Sequence, residues 1–100
     1  MTTLDTIAHI VINVSDIEAA KKWYLTSFSC ELTYEDARNV RLRFNNVDLL
    51  LCLPSVERHH VAYKKPNAET FGPMVEKSDG RNSCYIADPT GNPVELVKCE

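Results

Sequence analysis

The run Tyr85-Ile86-Ala87-Asp88-Pro89-Thr90-Gly91-Asn92-Pro93-Val94-Glu95-Leu96-Val97 constrains this chain more than any other segment. Pro89 presets φ in a turn opened by Asp88, and Gly91-Asn92 supplies residues that tolerate positive φ. Apolar runs on both sides make the segment a hairpin. In its second strand Glu95 stands between Val94 and Leu96. A carboxylate buried in such a strand is costly unless it is paired, hydrogen-bonded or bound to a cation. The fold must bring a partner to Glu95, and His9 and His60 are the candidates.

The remaining pattern is strand-rich. Ile7 to Val14 is a β-branched strand. Ser15-Asp16 offers an N-cap, and Glu18, three residues after Ser15, completes a capping-box pattern. The spacing of Ile17, Ala20, Tyr24 and Phe28, with Trp23 flanking, predicts a helix over Asp16–Ser27. A short strand follows over Cys30–Glu35. Val40-Arg41-Leu42-Arg43-Phe44 alternates, which predicts a half-buried strand with both arginines outward. Val47–Leu53 is nearly all apolar, as a strand buried on both faces is.

A strand over His59–Lys64 opens the second half. Pro66, Gly72, Pro73 and Gly80 then break up the segment 66–80 and leave room for at most a turn or two of helix. Met74–Lys77 is a candidate short strand, before the closing hairpin of Arg81–Asp88 and Pro93–Cys99. The second half therefore reads as the first with its helix nearly removed. A sheet face without its helix needs another cover. Either a second copy of the chain or the loop 66–73, through Phe71, is expected to supply it.

With 100 residues, the chain is expected to form one domain, with module one over 1–54 and a reduced module two over 55–100. The net charge of −3 and the lack of a basic stripe argue against a nucleic-acid surface. No apolar run is long enough to span a bilayer. The N-terminal segment carries Asp5 and no secretory signal pattern, so a cytoplasmic location is expected. Cys30, Cys52, Cys84 and Cys99 form no CxxC, and read as reduced thiols.

Two imidazoles and a carboxylate are what a divalent metal site needs. His9 and His60 sit at corresponding places in the two halves, in Ile7-Ala8-His9-Ile10-Val11 and His59-His60-Val61-Ala62-Tyr63. His9 is equally compatible with an ordinary hydrogen-bonded strand histidine. His59 points to the opposite face from His60, because strand side chains alternate. Trp23 and Tyr24 read as core or interface, Arg41 and Arg43 as a solvated face, and Ser78, Arg81 and Asn82 as either a loop at a cavity mouth or a plain turn.

The opening His9-Ile10-Val11-Ile12-Asn13-Val14-Ser15-Asp16 and the ending Asp88-Pro89-Thr90-Gly91 through Glu95-Leu96 together resemble the vicinal oxygen chelate superfamily. That group comprises glyoxalase I, the bleomycin-resistance proteins, the fosfomycin-resistance thiol transferases and the extradiol dioxygenases. The resemblance implies an α+β fold: paired βαβββ modules forming a cupped mixed sheet, here with the second helix shortened or missing. It implies a divalent metal (Mn, Zn, Ni or Fe) held by His9, His60 and Glu95.

Glyoxalase-type members add a Glu on the fourth strand. Here that strand offers Leu50 and Cys52 toward the cavity, with Asp48 at its start as a further candidate. Where the fosfomycin group has a Thr two residues after the first His, this chain has Val11. Val11, Leu50, Cys52 and Tyr85 are the expected substrate-binding residues. The resemblance implies a metal-dependent lyase, isomerase or thiol transferase acting on a small oxygen-rich substrate. The alternative is a non-catalytic binding protein of the bleomycin-resistance type. Family modules pair, so a homodimer is expected.

Overall fold

The computed structural model describes residues 4–56, 58–77 and 80–98. The expectations for Ser78 and Cys99 lie outside the described residues. The chain divides into two compact units, one of His9–His59 and one combining the segment up to Ala8 with the segment from His60 onward.

In the first unit the elements are β1 (Thr6–Asn13, contributing its residues from His9), α1 (Ile17–Ser27), β2 (Glu31–Glu35), β3 (Asn39–Arg43) and β4 (Asp48–Cys52). β1 lies parallel to β4, β4 antiparallel to β3, and β3 antiparallel to β2. The sequence pattern explains the layering. On one face Val40, Leu42 and Leu51 pack with Ile17, Ala20 and Tyr24 of α1, and Ile12 and Leu49 join them. On the other face Val11, Leu50 and Cys52 cluster with Val56. β4 is thus apolar on both sides, as its composition requires.

The helix begins differently from its sequence pattern. Asp16, not Ser15, is the N-cap: its Oδ1 accepts the Ala19 N–H at 3.0 Å. Trp23 on α1 and Phe28 at its C-cap remain 57% and 47% exposed. The two arginines of β3 also differ. Arg43 is exposed and pairs with Glu31 at 3.0 Å, whereas half-buried Arg41 donates from Nε to Asp48 at 3.0 Å.

The second unit contains β5 (His60–Lys64), a 3-10 turn (Ala68–Thr70), β6 (Val75–Glu76), β7 (Asn82–Ala87) and β8 (Pro93–Val97). β5 is parallel to β8, β8 antiparallel to β7, and β7 antiparallel to β6. This repeats the connectivity of the first unit, with the 3-10 turn standing where α1 stands. Pro66 and Pro73 bracket too few residues for a helix to repay its nucleation. The fold is α+β.

The turn still covers its face of the sheet. Ala68 is fully buried against Cys84 and Leu96, with Tyr63, Met74, Ile86 and Val94 around them. Cys84 Sγ donates to Ala68 O at 3.3 Å, and burial pushes its thiol pKa up, leaving it an inert core residue. Phe71, expected to do the covering, is 47% exposed; the small Ala68 admits the close approach that a ring would block.

The hairpin joining β7 to β8 turns on Gly91, whose φ is +93°. Asn92 takes no positive φ; it donates from its side chain and its backbone to Asp88 at 2.8 and 2.9 Å. Among the described residues no helix is long and apolar enough to cross a membrane.

Candidate metal centre

The parallel pairing of β5 with β8 sets Ala62 opposite Glu95. His60, two residues before Ala62, therefore shares the face of Glu95. Glu95 is completely buried and the His60 side chain is 1% exposed. Glu95 Oε1 lies 2.7 Å from His60 Nε2. The carboxylate's other oxygen, Oε2, accepts from Arg81 Nη1 at 2.7 Å, and the Arg81 side chain is only 9% exposed. The partner that a buried Glu95 demands is thus double: an imidazole and a guanidinium.

Tyr85 stands directly opposite Glu95 across the β7–β8 ladder. Its ring meets His60 edge-on, with centroids 5.5 Å apart and planes at 81°. Lys77 Nζ sits 4.7 Å from the Tyr85 ring centroid, a cation–π contact. Ser83, opposite Val97, falls on the same face; its buried hydroxyl has no hydrogen-bond partner among the described residues.

In the first unit His9 is fully buried on β1 and pairs in register with Asp48. Val11 pairs with Leu50, and Asn13 with Cys52, whose Sγ accepts from Asn13 Nδ2 at 3.4 Å. Val11, Leu50 and Cys52 form one apolar cluster. Asp48, the candidate further ligand, is occupied by Arg41. Exposed His59 accepts the Asn13 N–H through Nδ1 at 3.2 Å.

The two modules are equivalent by register. Two residues after His9, Val11 faces Leu50; two residues after His60, Ala62 faces Glu95. Leu50 therefore holds, in module one, the place that Glu95 holds in module two.

Within the second unit His60 and Glu95 each offer one donor atom, and both are buried. Nitrogen and carboxylate donors together suit Zn, Mn, Ni and Fe. Neighbouring ligands on one ion, with bonds of ~2.0–2.2 Å, stand roughly 3 Å apart. The 2.7 Å between His60 Nε2 and Glu95 Oε1 needs only a few tenths of an ångström of opening to meet that spacing. The His60–Glu95 pair fits two positions on a divalent ion.

Sequence reasoning missed the role of Arg81. The signal was the alternation itself: Arg81, Ser83 and Tyr85 share a parity, and Tyr85 pairs with Glu95.

No protein-family model matches the sequence, and no curated protein matches it. Solved structures do match. A glyoxalase/bleomycin resistance protein/dioxygenase superfamily member from Vibrio splendidus 12B01 aligns over 94% of this chain and 98% of its own, at 14% identity and a TM-score of 0.70. A hypothetical protein from Bacillus halodurans C-125 aligns over 98% and 96%, at 14% identity and a TM-score of 0.74. Lactoylglutathione lyase from Agrobacterium tumefaciens aligns over 96% and 95%, at 20% identity and a TM-score of 0.51.

These likenesses define the class: an α+β protein built from repeated β-strand modules. The chain has the vicinal oxygen chelate fold, that of the glyoxalase/bleomycin-resistance/dioxygenase superfamily.

Proposed function

We propose that this chain is a divalent-metal-dependent enzyme acting on a small oxygen-rich substrate, by lyase, isomerase or thiol-transferase chemistry. His9, His60 and Glu95 hold the ion. The observation that carries the reading is the fully buried Glu95 carboxylate with an imidazole nitrogen at 2.7 Å. Such a fully buried pair is an expensive arrangement for stability alone.

When bound, the ion acts as a Lewis acid on substrate oxygens. Tyr85 steadies the His60 ring from its edge. Val11, Leu50 and Cys52, which cluster in the first unit, are the proposed apolar contacts for substrate. The unpartnered Ser83 hydroxyl is a donor ready for a ligand oxygen. Leu50 offers no second carboxylate as base, so substrate or water supplies part of the chemistry.

Elemental analysis of the purified protein tests the reading. The expected result is about one divalent ion per chain, lost on His60→Ala with folding retained. A metal-free protein whose melting temperature ignores added Zn²⁺ and Mn²⁺ overturns it.

A second reading, a ligand-sequestering protein without catalysis, is favoured by one observation: Leu50 occupies the register of a fourth ligand. A ligand panel that raises the melting temperature of metal-free protein would support it. A homodimer is proposed alongside either reading, supported by the exposed aromatics Trp23 on α1, Phe28 at its C-cap and Phe71 beside the 3-10 turn. Light scattering at micromolar concentration checks it, and a monomeric mass counts against it.

A further inference from the structure

We infer that Arg81 is a built-in competitor for the metal at Glu95: its guanidinium pairs with the carboxylate and lowers the affinity for the ion. The inference rests on the metal reading above and assigns a function to a residue outside the ligand set.

Glu95 carries one negative charge, and its two oxygens are divided between His60 and Arg81. A guanidinium is protonated at every relevant pH. Its 2.7 Å bond to Oε2 and the 9% exposure of its side chain leave solvent little chance to screen it. An ion on Glu95 therefore meets a fixed positive charge on the same carboxylate. It gains only part of the attraction that an unpaired carboxylate would offer, and it is repelled by the guanidinium across a short, poorly screened distance.

The same contact gives the buried carboxylate a counter-charge that does not depend on an ion. Arg81 neutralises it, so folding need not wait for metal, unlike domains whose folding energy is metal binding. Arg81 is a positioning residue: it acts on the metal through Glu95. The alternative role, a guanidinium that orients the carboxylate and strengthens its ligation, predicts the opposite change on removal.

The test uses the full chain, stripped by chelation and titrated with Zn²⁺ by calorimetry. Wild type, Arg81→Met and Arg81→Lys are compared, with His60→Ala as the baseline for binding elsewhere. Arg81→Met is expected to bind Zn²⁺ about tenfold tighter or more, the lower end of what relief from a like charge at this range gives. Its metal-free form should melt lower than wild type, and added Zn²⁺ should raise its melting temperature further than it raises that of wild type.

Arg81→Lys keeps the charge on a more mobile stem, remains folded if Arg81→Met does not, and should fall between the two in affinity. Wild-type binding with unchanged or weaker binding in both variants overturns the competition and leaves the metal reading standing. Zn²⁺ binding no stronger than the His60→Ala baseline in all three proteins overturns the metal reading, and the competition with it.

Discussion

Leu50 and Glu95 occupy the same place in two repeats of one strand pattern. Leu50 pairs with the residue two beyond His9, and Glu95 with the residue two beyond His60. Leu50 is 2% exposed, so a carboxylate there is desolvated. Leu50→Glu is expected to lower the melting temperature of the metal-free chain, because it buries a charge in the cluster of Val11 and Cys52. Thermal melts of the variant and the wild type check the outcome.

Glu95→Gln keeps the shape of the side chain and removes its charge. Arg81 and His60 then face a neutral amide in a buried site. Breaking a buried pair by removing one partner costs about 3–5 kcal/mol. Urea denaturation of the metal-free variant should show a loss in that range, with an unchanged m-value.

The hairpin turn has its own pH signature. Asp88 is lowered from 3.8 to about 2, first by the Asn92 side-chain hydrogen bond, then by the Asn92 backbone and by Thr90, against a partial opposing effect of desolvation. Its folded value lies below its unfolded value. The stability it contributes is therefore fully present above about pH 4 and is lost as pH falls toward 2. An NMR titration of the Asp88 carboxyl should give a midpoint near the lower value, and Asp88→Ala should shift the low-pH unfolding limb of the chain.

Two substitutions separate the candidate helix caps. Asp16→Ala removes the acceptor of the Ala19 N–H and should cost about 1 kcal/mol. Ser15→Ala should change stability by less than about 0.5 kcal/mol, as a surface substitution away from a cap does. Chemical denaturation of both variants decides between them.

Much of the fold was legible from period and punctuation. The alternation through Val40–Phe44 and the apolar run of β4 foretold which faces bury, and the paired prolines at Pro66 and Pro73 foretold the lost helix. Finer choices were decided by competition among neighbours. Ser15 and Asp16 are both capping residues, and only the approach of Ala19 N to Asp16 selects one. Arg41 and Arg43 share a parity, yet Arg41 lies beside Asp48 while Arg43 reaches Glu31. Phe71 and Ala68 both belonged to the loop expected to cover the second sheet face, and close packing selected the smaller.

The sequence by itself determined that Glu95 needed a partner, because a carboxylate in a run of β-branched and aliphatic residues cannot be left alone in an apolar interior. It also determined the turn that carries the strand, through Pro89 and Gly91. Only the tertiary structure decided who answers that need. Register brings Glu95 level with Ala62 and hence onto the face of His60, and the approach to β7 delivers Arg81 to the second oxygen. Those contacts join residues far apart in the chain. Local propensity acts over a few neighbours, whereas strand register is settled by the burial of whole faces.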